Sequence, residues 1–121
     1  MTLRPMNIDP TQCFIGGAWV SSLGGAVLPL LNPSDGTVLC EIAKGTVADI
    51  DAAVQAGEAA LDGVWGHMPA FERGRILARI GTEVLKHIDH LTELESMDVG
   101  KPLTQARNDV IALARYMEFY G

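Results

Sequence analysis

Two periods of hydrophobicity divide this chain. Up to about residue 45, apolar residues alternate or run in short blocks broken by glycine pairs. Beyond it they recur every three or four positions. The first pattern predicts strands and the second predicts amphipathic helices. Cys13-Phe14-Ile15 and Ala18-Trp19-Val20 flank Gly16-Gly17, a pair that permits the positive φ angles of a tight hairpin turn. Gly24-Gly25 makes a second break. A second hairpin is expected with strands at about 26–31 and 37–43, joined by Asn32-Pro33-Ser34-Asp35-Gly36. Proline fixes φ there, Asp bonds its own backbone, and glycine supplies φ > 0. Val38, Cys40 and Ile42 alternate with Leu39, Glu41 and Ala43, as a strand with two unlike faces requires.

The helical half opens on Thr46-Val47-Ala48-Asp49, a capping-box pattern with Asp in the return position. Ile50, Ala53, Val54, Gly57, Ala60 and Leu61 form the stripe of the first helix, which Gly63 ends. Trp65–Pro69 reads as a connector. The next helix is predicted over about 70–88 with a stripe of Leu77, Ile80, Gly81, Val84, Leu85 and Ile88. Asp89 is the expected cap of a short helix over 90–98, with Leu91, Leu94 and Met97 facing in. Gly100 suits the left-handed position past its end. Pro102 cannot continue a helix but suits the start of another. The last helix begins near Pro102 or Leu103, with Leu103, Ala106, Val110, Leu113, Ala114 and Met117 on its stripe. The expected organisation is an extended arm over 1–11, hairpins over 12–45 and a helical part over 46–121.

Two hairpins and four amphipathic helices resemble the wrapping of something larger, because isolated hairpins of this size are marginal. The last helix is still apolar and aromatic at Tyr116, Met117, Phe119 and Tyr120 where the sequence stops. A face of this kind marks an interface. It is expected to be covered by further polypeptide or by a partner chain.

Composition narrows the function classes. The chain has 121 residues, 48% of them hydrophobic, a globular composition sufficient for one domain. Its net charge of −6 repels phosphate backbones, so nucleic acid is not an expected partner. No apolar run is long enough to span a membrane, and Met1–Pro5 lacks the apolar core of a signal peptide. Cytoplasmic localisation is the expectation.

Familiar chemical motifs are absent. Gly100-Lys101 lacks the upstream glycine of a phosphate loop. Cys13 and Cys40 sit in strand-like runs without an adjoining base and read as packed thiols. His87 and His90 are three apart with no third ligand nearby, and read as a solvated pair. Glu72, Arg73, Arg75 and Arg79 read as a charged helix face, and the aromatic tail as core or interface. Asp98 stands out. At a helix C-terminus its charge opposes the helix dipole, so Lys101 or a bound cation should offset it. Carboxylate and carbonyl oxygens are the ligands hard cations take.

These stretches, in this order, resemble the aldehyde dehydrogenase superfamily. Phe14–Trp19 resembles its first hairpin, and Leu31-Asn32-Pro33-Ser34-Asp35-Gly36 its Asn-Pro-x-x-Gly turn. Ala52-Ala53-Val54, Ala59-Ala60, Trp65, Glu72-Arg73, Ile76-Leu77 and Ala106-Arg107 match its early helices. Glu95-Ser96-Met97-Asp98-Val99-Gly100-Lys101-Pro102 matches its acidic residue and Gly-Lys-Pro turn. Tyr116–Gly121 resembles the betaine-aldehyde and aromatic-aldehyde branches. The resemblance implies an α/β fold in which this segment, two hairpins and about four helices, is the first part of a Rossmann-like cofactor-binding domain. It implies oxidation of an aldehyde to its acid with NAD or NADP, in a homo-oligomer. It places the catalytic cysteine and glutamate and the cofactor contacts beyond this stretch, so the chain alone is expected to be inactive. It also implies a monovalent cation, K+ or Na+, held by the carbonyls of Leu30 and Leu31 and by Asp98. Two other readings stay open: a stand-alone assembly module with the same N-terminal fold, and a small helical domain alike by chance. The second of these requires Asn32–Gly36 to lie far from Asp98.

Overall fold

The computed structural model describes residues 9–121. Most of the expected N-terminal arm, residues 1–8, lies outside the described residues. The chain forms β1 (Gln12–Ile15), β2 (Ala18–Ser21), β3 (Val27–Leu31), β4 (Val38–Ala43), α1 (Val47–Asp62), α2 (Val64–His67), α3 (Ala70–Lys86), α4 (Ile88–Val99) and α5 (Leu103–Tyr120). Strand pairs and long helices fall where the two periods predict them. The expected connector at Trp65–Pro69 differs: it contains the single helical turn α2, which α1 packs against.

β1 and β2 pair antiparallel, from Gln12 opposite Ser21 to Ile15 opposite Ala18. Gly16 and Gly17 turn the chain at φ of 63° and 82°, values that Cβ-bearing residues rarely adopt. β3 and β4 pair from Val27 opposite Ala43 to Leu30 opposite Cys40. Leu31 then faces Val38, so Leu39 is an extra residue on β4 and the ladder is irregular beside Leu30 and Leu31.

The chain forms two compact units. One holds the four strands, α1 and α2: the described residues up to Leu31, together with Gly36–His67. The other holds Asn32–Asp35 and Met68–Gly121, that is, the β3–β4 turn and α3 to α5.

In the helical unit α5 packs against both α3 and α4. The α3–α5 contact is close because α3 presents glycine. A Cβ on Gly81 would sit 2.8 Å from the Ala114 carbonyl oxygen and 3.3 Å from Met117 Cβ. A Cβ on Gly74 would overlap the backbone of Gly121. Ala106 and Ala114 are fully buried, and Val110 and Met97 nearly so. The core of this unit is therefore made of small residues and close backbones. Leu103 and Leu113, expected on the buried stripe, are exposed.

In the strand unit the tie is polar. Thr46 and Asp49 form the predicted capping box at the start of α1. Asp49 does more than cap. Its carboxylate accepts from the Leu23 N–H at 3.0 Å and from Ser22 Oγ at 2.8 Å, besides the Thr46 N–H and hydroxyl. The loop after β2 is thus fastened to the first turn of α1. The α1 stripe is open instead of buried: Ile50 is 62% and Val54 55% exposed.

Between α3 and α4 the break falls at His87, two residues before the predicted cap. No side-chain bond caps α4 there. Asp89, the expected cap, lies inside the first turn and accepts from Arg107 Nη1 of α5 at 2.6 Å. That cross-helix pair takes the carboxylate the cap would have used.

Candidate functional site

Glu95–Pro102 closes α4 and opens α5. Gly100 adopts φ 72°, the left-handed C-cap that the glycine predicts, and its N–H donates to the Ser96 carbonyl. Ser96 Oγ donates to the Lys101 carbonyl at 2.8 Å, which tightens the turn. Pro102 sits at the N-cap of α5 with φ −56° and ψ 140°.

Lys101 and a bound cation are the two counter-charges expected for Asp98. The Lys101 ammonium instead bridges Glu95 of α4 at 2.7 Å and Asp109 of α5 at 2.6 Å. Asp109 and then Glu95, hydrogen-bonded to the ammonium, push its pKa up to about 12. The bridge links the two helices across the turn. Asp98 is exposed, and among the described residues it has no hydrogen-bond or ion-pair partner.

The Asn-Pro turn meets this site. A Cβ on Gly100 would sit 2.9 Å from Pro33 Cγ and 3.3 Å from Pro33 Cβ. Asn32 Oδ1 accepts from the Ser34 N–H at 3.0 Å, the local turn that aims Pro33. Gly100 is required twice, by its positive φ and by the proline lying against it. A chance likeness predicts these two turns far apart; they are in van der Waals contact. Leu30 and Leu31 lie at the end of β3, beside the ladder irregularity.

The remaining candidates resolve locally. Cys13 and Cys40 are both free and half-buried, on β1 and β4. Arg73 Nη1 donates to the Met68 carbonyl, and the Arg75 guanidinium lies 5.2 Å from the centre of the Phe71 ring. Arg79 has no hydrogen-bond or ion-pair partner among the described residues. His87 is exposed and His90 half-buried, and both line a groove between α3 and α4. Among the described residues no three His, Cys, Asp or Glu side chains gather as a metal site would need. Tyr116, Phe119 and Tyr120 are all strongly exposed, and the last two rings meet edge to face at 5.0 Å.

Two features escaped the sequence reading. Asp49 carries its tertiary role on partners 26 and 27 residues away, a separation with no periodic signal. Four donors hold its carboxyl far below the ordinary range, the Thr46 N–H first and the Leu23 N–H next. The Lys101–Asp109 pair spans a helix start and also has no spacing signature.

The pattern of the aldehyde dehydrogenase family matches residues 19–121. Aldehyde dehydrogenase family 2 member B4, mitochondrial, of Arabidopsis thaliana is 38% identical over 118 residues, covering 96% of this chain and 22% of its own. A crystal structure of a putative aldehyde dehydrogenase from Burkholderia cenocepacia superposes with a TM-score of 0.87 at 47% identity, over 88% of this chain and 23% of that one. Betaine aldehyde dehydrogenase from Staphylococcus aureus, solved with NAD+, superposes at 0.86 with 26% identity, over 91% and 22%. The chain thus spans between a fifth and a quarter of the length of these relatives. With the family pattern running from residue 19 to residue 121 and its two signature turns in contact, this chain belongs to the aldehyde dehydrogenase family.

Proposed function

We propose that this chain serves as the N-terminal part of the cofactor-binding domain of an NAD(P)-dependent aldehyde dehydrogenase, cytoplasmic and homo-oligomeric, and that alone it oxidises no aldehyde. The observation that carries this reading is the Pro33–Gly100 contact, which joins the two turns the family shares. The open apolar faces support it, since Tyr116, Phe119 and Tyr120 are each more than half exposed. The first test replaces the equivalent segment of the Burkholderia cenocepacia relative with this chain. The chimera is expected to reduce NAD(P) with aromatic aldehydes or betaine aldehyde, while the 121-residue chain alone shows no turnover. An inactive, unfolded chimera would overturn the reading, as would turnover by the chain alone.

The same reading includes a monovalent cation, K+ or Na+, on the carbonyls of Leu30 and Leu31 and the carboxylate of Asp98. Two observations support it. The ladder is irregular where Leu30 and Leu31 sit, opposite the extra residue Leu39 of β4. Asp98 has no partner among the described residues, and Lys101, the nearest cation in sequence, is engaged elsewhere. Oxygen donors of this kind suit a hard cation. KCl or NaCl is expected to raise the Tm of the chimera beyond the effect of a bulky organic salt. Asp98→Asn is expected to abolish that increment; an unchanged increment would refute the assignment.

A further inference from the structure

α3 is apolar on two sides. The Gly74 and Gly81 side is occupied by α5. The other side, Ile76, Ile80 and Val84, forms with Leu91 of α4 the floor of an open groove of about 430 Å3. Ile80 is 42% exposed there. A helix apolar on both sides belongs to a domain interior, because a surface helix needs only one apolar stripe. The rim carries charge of both signs, but the signs are not equally free. Glu83 is paired with Lys86 at 2.7 Å, whereas Arg79 has no partner among the described residues. The charge left open on the rim is therefore positive.

Resting on the family reading above, we propose that this groove seats an aliphatic segment carrying a carboxylate. That segment belongs to the aldehyde dehydrogenase polypeptide outside the part this chain spans. Its aliphatic side chains fill the Ile76–Ile80–Val84–Leu91 floor, and its carboxylate pairs with Arg79. Two facts favour this occupant over a second copy of the chain. More than three quarters of each compared relative lies outside the matched stretch, so cover within one polypeptide is available. A second copy would bring another Arg79 to the same rim, and its Glu83 is already engaged with Lys86.

The test introduces Ile80→Lys into the chimera, with Thr82→Lys as the control. Thr82 is exposed on the same helix and does not line the groove. Ile80→Lys forces an ammonium into an apolar contact beside Arg79 and should lower the Tm by roughly 5 °C or more. Thr82→Lys should shift it by no more than about 1 °C. Equal effects of the two variants in an active chimera would overturn the groove assignment and leave the family reading standing. An unsubstituted chimera that neither folds nor turns over would remove both. A groove used instead by a second copy would show as a dimer of the isolated chain that Ile80→Lys dissociates, and that result would also overturn the proposal.

Discussion

α1 and α3 carry the same kind of apolar spacing, and only α3 has one apolar side closely covered. α3 lays Gly74 and Gly81 against α5, close enough that a Cβ would collide with backbone. α1 turns Ile50, Val54 and Leu61 outward, each more than half exposed. The units that contain them are held differently as a result. The helical unit rests on close-packed small residues around Ala106, Val110 and Ala114. In the strand unit the buried tie is a charged group, the Asp49 carboxylate with its four donors. The lesson is physical: hydrophobic periodicity specifies that a face exists and leaves open what covers it.

The sharpest way to break this contrast is one substitution made in both places. Gly81→Ala adds a methyl 2.8 Å from the Ala114 carbonyl oxygen, a backbone atom that cannot move without the helix. Overpacking of this kind costs about 1–3 kcal/mol. Gly57→Ala on α1 meets nothing within 4 Å. There the helix gains about 0.5–1 kcal/mol from lost unfolded-state freedom. Urea unfolding of the two variants should therefore show shifts of opposite sign. Two shifts of the same sign would mean that the glycine-mediated contact does not govern the helical unit.

A second, smaller effect belongs to the strand unit. Asp49→Ala leaves the Leu23 N–H and the Thr46 N–H without their acceptor, while Ser22 Oγ keeps the Lys44 carbonyl, and should lower the midpoint of α1 unfolding by several degrees. The pH dependence follows from the depressed carboxyl. Between its folded and unfolded pKa values the unfolded chain binds more protons, so stability rises with pH in that interval. The contribution is complete above the ordinary carboxylate range of about 4 and is lost progressively as pH falls below it. Acid titration followed by circular dichroism should show a shallower loss below about pH 4 in Asp49→Ala than in the parent. Parallel curves would show that Asp49 is not the tie.

How far the sequence was legible depends on the range of the interaction. Gly16, Gly17 and Gly100 take positive φ as their neighbours predict, because a turn is decided within four residues. The Thr46–Asp49 box was readable for the same reason. The partners of Asp49 on the loop after β2 were not, since nothing in the spacing of Ser22 and Asp49 joins them. Asp89 shows the same limit in reverse. It has the chemistry of a cap, yet Arg107 of α5, 18 residues away, draws it into an ion pair and His87 takes the helix start. Within the candidate site the Gly100 turn was legible, and Pro33 resting on it followed only from the family resemblance. Lys101 was one of the two counter-charges expected for Asp98, the other a bound cation; geometry sends Lys101 to Glu95 and Asp109, which flank the turn from two helices.

The smallest expected effect is also the most discriminating for the open stripe. Ile50→Ser and Val54→Ser remove apolar side chains that are 62% and 55% exposed in this chain. A surface change of this kind lies within about 0.5 kcal/mol of neutral, and the isolated chain should unfold at nearly the parent urea concentration. The same pair in the chimera tests whether the stripe finds cover in a longer polypeptide. If it does, each substitution forfeits buried apolar area and the cost rises to about 1–2 kcal/mol per site. A difference between the two contexts would make the α1 stripe an interior face awaiting its partner. Equal, near-zero effects in both would make it a surface that tolerates its apolar residues, and the contrast with α3 would then reflect two kinds of helix, one interior and one superficial, in a single domain.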